Sequence, residues 1–214
     1  MTLLQRQHFI YEGQTREQLK TEAIESYLSN ISQIRTAHVF QKINGDWTVE
    51  VNLRKPIARI FNFYGETYYL DNEGIVVKTT PSHTARSLVF TGNIYDRETS
   101  ISVPEIINND SLISIRKLDD IYRISDYVCN DPLFHSLIGQ VHLEKNGDFI
   151  LVPLVGDQRI ILGTARTVEE VEDKFEKLRV FYNQAIPYEG WDTYKEISLK
   201  FEDQIVCKKK EPNE

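Results

Sequence analysis

The chain has 214 residues and a formal charge of −7, from 25 basic and 32 acidic side chains; 41% of residues are hydrophobic and 27% charged. That length fits one or two domains, and the composition excludes a disordered tail, a membrane bundle and, with 10 glycines and 7 prolines, collagen-like or low-complexity sequence. The acidity disfavours nucleic acid, which selects a basic surface, and the 11 tyrosines and 10 phenylalanines favour a β-rich core or an aromatic interface.

Residues 2–12 predict one or two helical turns that end at Gly13. From Thr15 the spacing of Leu19, Ala23, Ile24, Tyr27, Leu28 and Ile31 predicts a helix. Thr15 with Gln18 fits a capping box and Thr21 fits an N-cap, so two starts stay open. The period then changes to two. Ala37, Val39, Gln41 and Ile43 alternate, Asn44-Gly45-Asp46 turns, and Trp47, Val49, Val51 and Leu53 alternate again, which predicts a hairpin. Pro56 marks a strand end or an edge.

Further strands are expected at 58–63, 67–70, 75–78 and 87–90, with residues 91–111 loop-like. Leu112 to Cys129 reads as a helix, with Ile115, Leu118, Ile121, Tyr122, Ser125 and Val128 on one side and Asp131-Pro132 closing it. Strands at 137–143 and 148–154 flank Asn146-Gly147, and Gly156-Asp157 turns into a strand at 158–162. Val168 to Ala185 is the best helix, with Thr167 and Glu170 as a capping box and a stripe of Val168, Val171, Phe175, Leu178, Tyr182 and Ala185. Ile197, Leu199 and Phe201 alternate in the last strand, which Glu202-Asp203-Gln204 interrupts and Ile205 to Cys207 continues. The order predicts an α+β fold with mostly antiparallel sheet.

Motifs for chemistry are absent from the sequence. The five histidines show no metal-ligand spacing, and there is no G-x-S-x-G, Walker A loop or G-x-G-x-x-G. Glu169, Glu170, Glu172 and Asp173 start a helix, where they complement its dipole and face water. Cys129 and Cys207 read as separate thiols used as small apolar residues, and Lys208-Lys209-Lys210 as a solvated tail. No catalytic, cofactor-binding or metal residues are expected. Weight shifts to a binding module, in which an exposed edge strand near the chain end offers unpaired backbone groups; an ordinary inner strand is the competing reading. With no apolar span and no leader, the chain by itself reads as soluble and unexported.

Four segments together resemble the cell-division protein FtsQ (DivIB) family in its Bacteroidetes-type form. They are Ile24 to Val39 running on through Val49 to Ala58, Tyr68 to Gly74, Gly163 with Val168 to Leu178, and Gly190 to Cys207. The resemblance implies a POTRA-like domain at 1–58, an FtsQ-type β domain at 59–208 and a tail at 209–214. It implies a non-enzymatic divisome scaffold in the periplasm. A single N-terminal helix anchors such proteins in the inner membrane, and they use no cofactor. The implied partners are FtsB, FtsL, FtsK, FtsW and the septal transpeptidase.

Relative to that pattern the chain lacks the membrane helix and the first POTRA strand, as a truncated sequence or a misplaced start codon would. The family's FtsB adds a strand beside the closing strands, which carries over onto Phe201, Asp203, Gln204, Ile205, Val206, Cys207, Lys208 and Lys209. Phe201 matches a family aromatic. Lys208 and Lys209 replace a small residue and a tryptophan, so a charged contact to an acidic partner takes the place of stacking. The competing expectations are another POTRA-bearing envelope assembly or secretion protein, and a cell-wall enzyme.

Overall fold

The chain divides between Lys55 and Pro56 into two units in the computed structural model, which describes residues 2–15, 18–44, 46–81, 83–99 and 101–211. The first unit contains α1 (Leu3–Arg6), α2 (Thr21–Ser29), β1 (Ile34–Gln41) and β2 (Trp47–Leu53). Thr2 and Gln5 form the capping box of α1. Helix α2 starts later than Leu19 suggests. Thr15 and Gln18 do bond, the Thr15 N–H donating to Gln18 Oε1 at 2.9 Å, but Lys20 holds the N-cap position of α2 and neither threonine caps it. Arg16 and Glu17 lie outside the described residues.

Strands β1 and β2 pair antiparallel, with Val39 opposite Val49 and Ala37 opposite Val51. Of the expected turn, Gly45 lies outside the described residues; Lys42 N–H donates to Asp46 O at 2.7 Å and closes the loop. Ile24, Leu28, Ile34, Ala37 and Val39 form the small core, joined at its margin by Val49. Helix α2 packs on β1, so Trp47, Val51 and Leu53 of β2 stay exposed although their alternation resembles a core face. Ile43 sits in the loop and is exposed.

The second unit contains β3 (Pro56–Phe61), β4 (Thr67–Asp71), β5 (Val76–Lys78), β6 (Leu88–Gly92), α3 (Val103–Ile107), α4 (Asp110–Ile113), α5 (Leu118–Asn130), α6 (Pro132–Leu137), β7 (Ile138–Leu143), β8 (Phe149–Pro153), β9 (Arg159–Gly163), α7 (Val168–Gln184), α8 (Ile186–Glu189), β10 (Tyr194–Ser198) and β11 (Val206–Lys209). Its strands form one sheet in the order β11-β10-β9-β8-β7-β6-β3-β4-β5. Neighbours run antiparallel except at β3/β6, β6/β7 and β9/β10. The fold is therefore α+β with a mostly antiparallel sheet.

The register of this sheet lines up one row of side chains. Tyr68, Ile60, Phe90, Val141, Leu151, Ile160, Ile197 and Cys207 are successive cross-strand partners from β4 to β11. Directly opposed residues share a face, and every member but Cys207 is fully buried. The α5 residues Ile121, Ile124 and Val128 and the α7 residues Val171, Phe175 and Leu178 close the same core. Between the helices, Phe175 stacks on Tyr127 with centroids 4.6 Å apart and meets Phe134 edge-on at 4.9 Å.

Several expectations change. Pro56 opens β3 rather than closing a strand; the first position tolerates a missing donor. The 91–111 segment opens on the end of β6 and holds α3 and the start of α4. These helices are too short for periodicity to show, but Ser102-Val-Pro-Glu105 carries a start signal: the Ser102 N–H donates to Glu105 Oε2 at 2.8 Å. The helix read from Leu112 begins at Leu118, because Asp96 Oδ2 accepts the Lys117 N–H at 3.0 Å and Ile115 is 70% exposed. Asp131 does not merely end α5; its carboxylate caps α6 by accepting from the Leu133 and Phe134 N–H groups. Val168 lies outside the buried stripe of α7.

Phe175→Ala removes a fully buried ring from the junction of α5, α6 and α7, and is expected to cost about 3–5 kcal/mol in urea unfolding.

Candidate partner-binding edge

An open sheet leaves backbone groups unpaired at both ends, and here one end is β11, the last strand among the described residues. By alternation alone, 205–207 continues the strand of 196–201. Instead the chain reverses: Leu199 lies fully buried, Phe201 begins a bend, Glu202 and Asp203 turn, and β11 returns antiparallel to β10. Leu199 N–H donates to Ile161 O at 2.9 Å, so the strand path ends toward β9 before the turn.

The expected site residues therefore fall into two groups. Phe201 and Asp203 stand in the turn, Phe201 48% exposed; Gln204 and Ile205 lead into the strand; Val206, Cys207, Lys208 and Lys209 are β11 itself. Ile205 and Cys207 pack against the main core. Burial pushes the Cys207 thiol up from its ordinary value, and Cys129 behaves alike, with burial first and nearby Asp126 second. Both stay protonated free thiols, consistent with apolar use.

Which backbone groups face outward follows from the ladder. Lys210 N–H donates to Thr193 O at 3.0 Å, so residue 210 faces β10. Alternation then turns Lys208 inward and points the N–H and C=O of Cys207 and Lys209 away from the sheet. Between Tyr194 and Glu196 the register shifts by one residue, which absorbs the extra β10 position.

The basic run is not a solvated tail. Lys208 pairs with Glu196 at 2.8 Å, Lys209 with Glu189 at 3.0 Å and Lys210 with Asp157 at 2.7 Å. Glu196 also takes Arg159 at 3.0 Å, and Arg159 reaches on to Glu144. The Lys208 hydrogen bond, with help from Arg159, holds the Glu196 carboxyl below its usual range.

Helix α7 anchors the turn. Lys177 Nζ donates to Phe201 O at 2.9 Å and Glu202 O at 2.8 Å, and pairs with Asp173 at 2.8 Å. Lys200 Nζ crosses to Asp148 Oδ2 at 2.7 Å. The adjoining cavity, of about 440 Å³, is lined by these groups with Thr164, Glu170 and Lys174. Gly163 borders it at φ +80°, where a Cβ would sit 2.9 Å from Lys200 Cγ, so only glycine fits both the angle and the space. Pattern reading missed Lys177, Arg159 and Glu196. Their type carries no signal, since each is an ordinary charge on a helix or strand face; sheet register brings Arg159 and Glu196 to the edge, and α7 carries Lys177 to the turn.

As part of an acidic helix start, Glu170 is expected to face water. It makes only half of the capping box: Thr167 Oγ1 accepts the Glu170 N–H at 3.1 Å, while its carboxylate turns to Lys174, Thr164 and the Arg166 N–H. Burial alone would raise its pKa, but those donors outweigh burial and hold it at about 2. A carboxyl lowered on folding contributes stability above its unfolded value and loses it as pH falls. Unfolding free energy is therefore expected to drop between pH 4.5 and about 2, and Glu170→Gln to flatten that drop when the two proteins are titrated in parallel.

Among the described residues, no group of three or more His, Cys, Asp or Glu is arranged to hold a metal ion, and no helix is long and apolar enough to cross a membrane. No curated protein matches the chain. The family model described as FtsQ/DivIB, C-terminal related, matches residues 55–208, which spans all but the last residue of β11. The chain belongs to the FtsQ/DivIB, C-terminal related, family, and with it to the proteins of cell division.

Proposed function

We propose that the chain is a non-enzymatic scaffold of the bacterial divisome whose partner adds a strand to β11. The observation that carries this reading is the edge itself. Strand β11 ends the sheet, presents the N–H and C=O of Cys207 and Lys209 outward, and is held in place by side chains on α7 and β10. Strand addition takes its affinity from backbone groups, so it does not need the aromatic that the lysines replace. Phe201, exposed in the adjoining turn, supplies the aromatic contact beside the edge.

In this reading the added strand comes from FtsB, which with FtsL links the chain to FtsW and the septal transpeptidase, while FtsK connects it to earlier division proteins. The first unit serves as a POTRA-like module. Both units work in the periplasm, tethered to the inner membrane by a single helix outside this sequence. Family membership and the open edge support the scaffold role.

Cys207→Pro removes one outward N–H and leaves the bonds to β10 in place. The expected result is a loss of affinity for the periplasmic segment of FtsB of about tenfold or more, measured by calorimetry. Unchanged affinity, with the circular dichroism of the native fold retained, contradicts the reading.

A further inference from the structure

The two faces of β11 end in different chemistry. On the helix-covered face, the row of buried apolar partners stops at Cys207, which is only partly buried. On the opposite face, Arg159, Glu196 and Lys208 are direct cross-strand partners on β9, β10 and β11, and Glu144 extends the series at the other side. Their signs alternate: minus, plus, minus, plus. Glu196 divides its two oxygens, Oε2 to Arg159 and Oε1 to Lys208. The series ends on Lys208, whose side chain is 71% exposed.

Each row sets a condition on the next strand. Residues opposite one another on neighbouring strands approach to about 4.5–5.5 Å, where opposite charges attract and like charges repel. The Lys208 backbone faces β10, so on a strand added antiparallel to β11 its partner forms a pair without mutual hydrogen bonds, the geometry in which side chains come closest. An added residue opposite Cys207 falls beside the core row and extends it. We propose that the strand received by β11 carries an acidic side chain opposite Lys208 and an apolar side chain next to it, opposite Cys207. This specificity rests on the strand-addition reading above and adds to it a partner chemistry: an extended segment with adjacent apolar and acidic residues.

The test uses a displayed library of extended peptides randomised at three adjacent central positions, panned against the full chain. The wild-type protein is expected to enrich Asp or Glu beside Leu, Ile, Val or Phe. Lys208→Glu is expected to enrich Lys or Arg at the acidic position, and to bind the wild-type-selected peptides about tenfold more weakly. Lys208→Gln, which adds no repulsion with Glu196, is expected to lose the preference for acid. Identical selections from wild type and both variants overturn the proposed specificity. Cys207→Pro and Lys209→Pro separate the two levels. Loss of all peptide binding in these folded variants supports strand addition whatever the charge preference, while retained binding places the peptides elsewhere and overturns both. An empty selection with the wild-type chain also overturns both.

Discussion

One row of side chains sets the terms for the larger unit. From Tyr68 on β4 to Ile197 on β10, seven successive partners are fully buried, and Cys207 on β11 ends the series half covered. Burying such side chains stabilises by roughly 1.5–3 kcal/mol each, and a slip of one residue in any strand would turn its member to the other face. The register of every strand is thus tied to its neighbour's. For β11 the consequence is specific: with Cys207 facing the core, Lys208 must face the open side, and the backbone of Cys207 must point outward. The interior of the sheet dictates what its edge displays.

The edge is also held from the side. Lys177 on α7 takes the two turn carbonyls, Lys200 ties the start of the turn to Asp148, and Glu196 fastens Lys208 to β9 through Arg159. Such fixing costs side-chain entropy during folding, so a strand added in the proposed way would meet an edge that is already ordered. The charged cavity beside the turn fits the same role. Its lysines and carboxylates pair with one another and with the turn, and Glu170, which takes Lys174 and Thr164, is held well below the usual carboxyl range.

Much of this was legible in the chain. The hairpins around Asp46 and Asn146-Gly147 announce themselves by alternation and turn chemistry, Gly147 taking φ +88° as such a turn requires. The α7 stripe places Phe175 and Leu178 in the core as its period predicts. What failed was local reading where tertiary contacts decide. Asp96 stops α5 from extending back to Leu112. Residues 199–205 read as an interrupted strand because alternation is blind to a reversal of direction. The same limit hid the site's charges: Arg159, Glu196 and Lys208 are far apart in sequence and meet only through register. The segment from Phe201 to Lys209 was marked by resemblance, whereas its division into a turn and an edge required the fold.

In the proposed reading, a partner strand completes the sheet of this FtsQ/DivIB-related chain at β11. Amide hydrogen exchange on the full chain reads it most directly. The Cys207 and Lys209 amides, which point away from β10, are then expected to exchange fast in the chain alone and become protected when the periplasmic segment of FtsB is added, while the Lys208 amide changes little. Binding that leaves the Cys207 and Lys209 amides exchanging as fast as before would contradict it.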